Sequence, residues 1–404
     1  MTRVKEREDY RWVIVAGLFL CLVVSWGIIF NASSIFVTPI QADLQTTRSV
    51  MLLAMVFKGT ASVFASVMAG PLMNRYGALR VMRLSSLLLI ASFFSFGFIQ
   101  TIPHYFIMIS IQVAATTWCG FLPVSVLINE WFPGKNATVM GLAFMGSGFG
   151  GMLFNVLGGN WIVLLGWRQT AFMFSGVMAL ILIPITWLIL VPKPRTNSLT
   201  GQTGTVTTSG IRLEEAMKTQ QFWWILSSFT IMSITLNGVI NNLTPAFQDL
   251  GYGLKTAAVI TSVAMIGMSG GKLLIGQLFN RAGLRKASIL ANLSMIICLG
   301  GLIFGATIPG VGAALLGFVI GGGFASMSVP FLADGIYGRA DFARISGVLQ
   351  GAFNIGSILG PLSMSPLYSL TGGYGASWTL FIGFLCINFM IYLKYLPNHA
   401  REVF

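Results

Sequence analysis

Charge is what this sequence has least of. Asp, Glu, Lys and Arg make up 9% of its 404 residues, and 55% are hydrophobic. A soluble globular chain carries about 25% charged residues, so a soluble domain is excluded. Acids are scarcer than bases, 11 against 24. Every Asp and Glu lies at the end of an apolar run or outside the runs, and neither His104 nor His399 falls inside one. A nucleophile–base set, a metal cluster and a carboxylate proton relay therefore have no members to build from, and no cofactor is implied. Cys21, Cys119, Cys298 and Cys386 sit within apolar runs at unrelated spacings. Neither a disulfide nor a metal site follows from them.

What fills the chain instead is apolar runs of membrane-spanning length, each needing about 20 residues. There are twelve, the first over roughly 12–36 and the last over roughly 375–396. The expectation is a polytopic, all-α membrane protein. The net charge of +13 would fit a nucleic-acid binder, but its distribution does not. Arg48, Arg168 and Lys255 fall on one side, Lys58 and Lys272 lie within runs, and all other Lys and Arg fall in the alternate loops and tails. That is the positive-inside bias, and it places both termini in the cytoplasm with the lipid bilayer as the partner. The polar start, Met1 to Arg11, leads directly into a full span, so no cleavable signal peptide is expected.

The sequence repeats itself. A shift of 206 residues lays Thr38-Pro39-Ile-Gln-Ala-Asp43-Leu44 on Thr244-Pro245-Ala-Phe-Gln-Asp249-Leu250. The same shift lays Asn31 on Asn237, Gly70-Pro-Leu-Met-Asn74-Arg75-Tyr-Gly77 on Gly276-Gln-Leu-Phe-Asn280-Arg281-Ala-Gly283, and Gly141 on Gly347. One offset across separate helix pairs implies a duplicated six-helix half. The expected division is a first half over residues 1–191, a cytoplasmic linker over 192–221 rich in Thr, Ser and Gly, and a second half over 222–404. Ile211 to Thr219 reads as a short surface helix. Gly146-x-Gly148-x-Gly150-Gly151 and the glycines from Gly347 to Gly360 lack the Lys-Ser or Lys-Thr of a phosphate loop. They read as sites where helices approach closely and slide.

Two parallel-repeat halves of six spans are the plan of secondary transporters of the major facilitator type. Gly70-x-Leu72-x-Asn74-Arg75-x-Gly77-x-x-Arg80 resembles that superfamily's signature between spans two and three, with Asn74 where an acid is usual, and Asn280 in the second copy. Tyr10-Arg-Trp-Val-Ile-Val, Glu130-Trp-Phe-Pro-Gly-Lys135, Gly166-Trp167-Arg168 and Phe222-Trp223, in this order, resemble the bacterial oxalate/formate antiporter and monocarboxylate transporter branch. The resemblance implies a gate on the cytoplasmic side that locks the halves together. Its ion pairs would be Arg75 with Glu130 and Arg281 with Asp334, with Arg344 joining the second.

Two cations within spans have no fixed anion to neutralise them. Lys272 stands nine residues before Arg281, about 13 Å inside the membrane edge. A cation at that depth costs about 3 kcal/mol on insertion scales. Lys58 lies about halfway along span two. The repeat does not superimpose them, since the offset pairs Lys58 with Ala264 and Lys272 with Ser66. Intramembrane charges normally pair, and the partner missing from the sequence is a substrate anion. The resembled carriers place an arginine at the position of Lys272, where it binds the substrate carboxylate. Lysine is a point charge rather than a bidentate fork. Two further departures are Phe353, where the oxalate carrier has a second lysine, and Met268, where many proton-coupled carriers have an acid. Asn31 and Asn237 on spans one and seven, Asn354 in span eleven and Trp118 in span four complete the candidate substrate-binding set.

The function expected is alternating-access transport of a small organic anion, a monocarboxylate such as lactate, pyruvate or formate, by proton symport or exchange for a counter-anion. A monomer in a bacterial inner membrane is expected. Two alternatives stay open: an exporter or facilitator of neutral or amphiphilic molecules, and a non-transporting membrane sensor, for which the short loops provide no signalling domain.

Overall fold

The computed structural model describes residues 2–132, 136–191 and 210–397. Among these, twelve helices are long and apolar enough to cross a membrane. Spans one to six are Tyr10–Asn31, Leu53–Tyr76, Ala78–Phe96, Ile102–Trp131, Ala137–Leu165 and Trp167–Ile189. Spans seven to twelve are Gln220–Asp249, Lys255–Ala282, Leu284–Ile303, Ile308–Ala325, Phe342–Thr371 and Gly375–Tyr395. Helix is forced on such segments, because lipid offers no partner for a free backbone N–H or C=O. Where a helix starts in polar surroundings, a threonine takes up the exposed amide. Thr101 accepts from His104 N and Thr307 from Gly310 N, each at the head of a Thr-Ile-Pro step. Proline suits that first turn because its missing N–H would be unbonded there anyway.

The duplication holds at the level of backbone geometry. Thr101 and Thr307 differ by the expected offset. So do the residues with positive φ: Gln45 and Gly251, Gly77 and Gly283, Gly166 and Gly372. Gly77 at φ 84° and Gly283 at φ 80° turn the chain between spans two and three and between spans eight and nine, where a side chain would be strained. Span four breaks at Gly120, between Cys119 and Phe121, and span ten is followed after Ala325 by a second helix, Ser328–Tyr337. Span one departs from the symmetry. Its helix loosens into a π turn, Gly27–Asn31, and a 3-10 turn, Ser33–Phe36, whereas span seven is unbroken over Gln220–Asp249.

One end of the bundle carries the last turn of span six, the start of span seven and the described end of the chain; we call it the linker face. Residues 192–209, most of the expected linker, lie outside the described residues. Its end is docked. Ile211 N donates to Tyr337 O at 2.9 Å, and the surface helix is a single turn, Leu213–Ala216. It is shorter than the 211–219 segment expected, because Thr219 is taken as the N-cap of span seven. Tyr10 Oη donates to Ile189 O at 2.7 Å, tying the two ends of the first half on this face.

The halves meet along two seams, span two on eleven and span five on eight, and the repeat relates the seams. A Cβ on Gly141 would lie 2.7 Å from Lys272 O, and one on Gly347 2.5 Å from Ser66 O. One on Gly276 would lie 2.7 Å from Ala137 O, and one on Gly70 2.7 Å from Ala343 O. Each pair of contacts is one contact repeated at the offset. Lipid tails are as apolar as leucine, so such backbone approach, not water exclusion, holds membrane helices together. Within the first half the same principle seats span one on span five, where a Cβ on Gly150 would lie 1.9 Å from Val23 O.

Gly150→Val is therefore expected to lose most of its monodisperse protein on size-exclusion chromatography, since an overpacked interior costs about 1–3 kcal/mol or more. Gly159→Ala, where nothing lies within 4 Å, is the matched control and is expected to behave as the parent.

Candidate functional site

Gly27 of span one lies against Gly150 of span five, where a Cβ would be 2.6 Å from the Gly150 carbonyl carbon. Here the helix widens into its π turn, a feature often found at functional sites. Polar side chains take up the loosened segment. Asn31 Nδ2 donates to Ser147 O at 2.7 Å, and Asn155 Nδ2 donates to Asn31 O at 3.1 Å. Asn31 itself is exposed.

Lys272 reaches the same place from the other half. Its Nζ donates to Ser147 Oγ at 2.7 Å and to Phe144 O at 3.4 Å, across the span five–span eight seam. The residue is 2% exposed. Lys58 approaches from span two and is half-buried. Its Nζ donates to Ser33 Oγ at 2.9 Å and to Ile29 O at 3.3 Å, in and just beyond the π turn. Neither lysine pairs with a carboxylate among the described residues.

A wall of three rings runs between the two cations. Lys58 Nζ is 5.6 Å from the centroid of Phe30. Phe30 stacks on Trp26 at 4.2 Å, and Trp26 meets Phe121 at 4.2 Å. Phe121 in turn lies 5.7 Å from Lys272 Nζ. Ring faces carry negative potential, and each such contact is worth up to about 2 kcal/mol once desolvated. They stabilise the cations without cancelling their charge. Since Lys272 belongs to the second half, its contact with Phe121 also crosses between the halves.

The structure thus brings Asn31 and Lys58 to one stretch of span one, and Lys272 to the Ser147 that Asn31 also holds. It does not bring the other candidates there. Asn354 ties the second seam, donating to Ser62 O at 3.1 Å and Ser66 Oγ at 2.9 Å, with Gln350 donating to its own Oδ1. Asn237 bonds within its helix, to Ser233 O and Oγ. Trp118 spends its indole N–H on Ala65 O at 2.8 Å. Ser147, Ser33, Phe121, Phe30 and Trp26 were not singled out by sequence reasoning. Ser147 lies inside the Gly146-x-Gly148 stretch, which reads as packing, and a lone serine there gives no signal of its own.

The linker face is tied across the halves by polar contacts. Asp334 pairs with Arg339 at 3.1 Å, because the chain turns back at Gly338 and returns Arg339 to the end of its own helix. Arg75 lies over the ring of its neighbour Tyr76, at 5.2 Å. The residue that crosses between halves is Asn74, whose Nδ2 donates to Asp341 Oδ1 at 3.2 Å. Its repeat partner Asn280 crosses the other way, donating to Thr138 Oγ1 at 2.7 Å. Asp341 is a junction. Its Oδ2 also accepts from Leu213 N at 3.1 Å and from Arg344 at 3.2 Å, and Arg344 bridges to Glu214 at 2.8 Å. Glu214's own backbone amide, and then Arg344, hold its carboxyl below the usual carboxylate range.

Twelve spans in two equivalent halves, meeting along two seams with a cation sealed in one, are the build of a secondary carrier. The sequence signature of the Major Facilitator Superfamily matches residues 18–361. The chain belongs to that superfamily and is a transporter. It is 23% identical over 406 residues to monocarboxylate transporter 11 of Homo sapiens, covering 95% of this chain and 82% of that one. It is 23% identical over 420 residues to the gallate transporter of Pseudomonas putida, covering 92% and 88%. Among solved structures it is similar to the proton:xylose symporter XylE, with a TM-score of 0.79 over 98% of each chain and 14% identity. At that identity the likeness is one of fold.

Asn74→Asp would set two carboxylates where the 3.2 Å hydrogen bond now lies. It is expected to loosen the linker face, read as faster hydrogen exchange at the start of span eleven, with Asn74→Gln close to the parent. The docking of the linker end has a pH limit. Glu214's carboxyl is depressed, so its bridge is complete above the ordinary carboxylate pKa and is lost as pH falls through the depressed value. Protection at Ile211 and Leu213, exchange corrected for its intrinsic pH dependence, is expected to be unchanged from pH 8 to about pH 5 and to fall below that.

Proposed function

We propose that this transporter carries a small organic anion, a monocarboxylate, by alternating access. The observation that supports this most is the sealed Lys272, held across the seam by a hydroxyl and a carbonyl and by no carboxylate among the described residues. Retaining an unneutralised cation inside a membrane is costly unless something anionic visits it. The similarity to a monocarboxylate transporter and to a gallate transporter supports the same class of substrate.

In this reading Lys272 binds the carboxylate, and Lys58, half-buried and on the far side of the ring wall, attracts or co-binds it. Asn31 completes the polar lining at the π turn, while Asn237, Asn354 and Trp118, bonded elsewhere, reach the anion only in a differently arranged state of the carrier. The two halves, residues 1–191 and 222–404, rock about the glycine seams. Arg75, Glu130, Arg281, Asp334 and Arg344 set the charge of the face that opens. Both termini lie in the cytoplasm and the membrane is a bacterial inner membrane. A membrane potential opposes entry of a bare monoanion by about 2.3 kcal/mol per 100 mV, so uptake is coupled to a proton or to an exchanged anion.

The test is uptake of labelled C1 to C4 carboxylates by purified protein in liposomes, with and without a pH gradient and an internal anion. Lys272→Met is expected to lower kcat/KM by at least about 30-fold, as loss of one partner of a buried charge pair does. Lys272→Arg is expected to retain measurable transport. Uptake that survives Lys272→Met sinks the binding role. Trans-stimulation without pH dependence selects exchange over proton symport.

A further inference from the structure

Lys272 is sealed, yet its partners are replaceable. Of the two acceptors, Phe144 O is 3.4 Å away and Ser147 Oγ is 2.7 Å away, so the serine hydroxyl makes the closer bond. That hydroxyl turns its own proton to Phe144 O at 2.9 Å, which leaves its lone pairs to the ammonium. The backbone carbonyl of the same serine accepts from Asn31. Ser147 thus stands between an exposed amide on span one and a buried cation on span eight. It belongs to the first half and Lys272 to the second, so their bond is also a tie between the halves.

We propose that the Ser147 hydroxyl is a placeholder ligand for Lys272, which the substrate carboxylate displaces, and that this displacement couples anion binding to the parting of the span five–span eight seam. The assignment rests on Lys272 being the carboxylate-binding residue.

The chemistry supports the exchange. An ammonium–carboxylate contact adds the attraction of two full charges to its hydrogen bond, which a neutral hydroxyl cannot supply. The incoming anion therefore wins the site once it reaches it. A ligand shifts a conformational equilibrium only by its differential affinity for the two states. While Ser147 holds Nζ in the seam at 2% exposure, the anion cannot bind it. Binding is confined to the state in which the serine has let go. Anion affinity is thereby directed into opening the seam, where the glycine contacts at Gly141 and Gly276 and the Asn280–Thr138 hydrogen bond remain to be parted. The second seam has a neutral tie at nearly the equivalent place, Asn354 to Ser66 Oγ. Ser66 is the repeat position of Lys272. The duplicated seam without a cation has no anion to answer to.

The assignment makes Ser147 a competitor of the substrate, which gives it a signature that a structural role lacks. Removing a competitor tightens ground-state binding and slows release. Uptake kinetics of Ser147→Ala, with labelled formate, lactate and pyruvate as probes, are expected to show KM lowered about 5- to 10-fold and kcat lowered by a similar factor. kcat/KM would stay nearly level, as tightening confined to the ground state requires. Ser147→Thr, which keeps the hydroxyl, is expected to restore both. A raised KM in Ser147→Ala would make the serine a direct substrate ligand and overturn the proposal, as would unchanged KM and kcat. If Ser147→Ala moves no probe, thermal stabilisation of the purified variant by lactate decides. A lower half-saturating concentration than the parent's supports the assignment, and a higher one or none overturns it. Uptake retained by Lys272→Met removes the underlying reading, whatever Ser147→Ala does. A wild-type protein that moves none of the three probes overturns both.

Discussion

One interaction sets the terms for the rest of the molecule: an ammonium group held inside a membrane protein by neutral atoms alone. Lys272 Nζ has a hydroxyl, a carbonyl and a ring face around it. Each compensates part of the cost of leaving water, and none removes the charge. The surroundings are arranged accordingly. Gly141 lets span five close over the Lys272 carbonyl, Phe121 is presented by the helix that restarts after Gly120, and the π turn of span one holds Asn31 against Ser147. Replacing buried ionic groups by well-packed apolar ones is often neutral or stabilising, and the proposed reading gives Lys272 its purpose in anion binding.

The architecture is a near-perfect duplication, which makes its departures informative. Backbone turns, threonine caps, helix breaks and seam glycines recur at one offset. Some features do not, among them Lys58 against Ala264, Lys272 against Ser66, and the broken span one against the continuous span seven. In the proposed reading the symmetric scaffold provides the rocking motion, and these departures from symmetry provide the substrate contacts.

Much of this was legible in the sequence. Twelve apolar runs and the recurrence of Asn74-Arg75-x-Gly77 as Asn280-Arg281-x-Gly283 carry the fold, because lipid forces helix and the offset fixes which helices correspond. Lys272 stood out because depth within a span can be counted. The seam partners did not stand out. Ser147 is an ordinary residue whose meaning comes from being opposite a lysine 125 positions away, and no periodicity reports that. The ties across the linker face did not stand out either. Charged residues near one another in a motif suggest ion pairs, whereas turns at Gly77 and Gly338 decide where each side chain points. Asn74, noted as a departure from the usual acid, is the residue that crosses to Asp341.

The seam glycines have a consequence for how the molecule moves. Where Gly141 meets Lys272 O and Gly347 meets Ser66 O, backbone faces backbone, and no side chain on the glycine side has rotamers to lose on contact or regain on release. Ordering a long side chain costs up to about 2 kcal/mol of conformational entropy, and these contacts avoid it. Closing and opening the seam is then nearly isoentropic on the glycine side. The balance between states falls to a few polar ties: Asn74, Asn280, Asn354 and Ser147. A change of one hydrogen bond is a large fraction of such a balance, so this is a machine whose resting position is set by a handful of small residues rather than by the bulk of its packing.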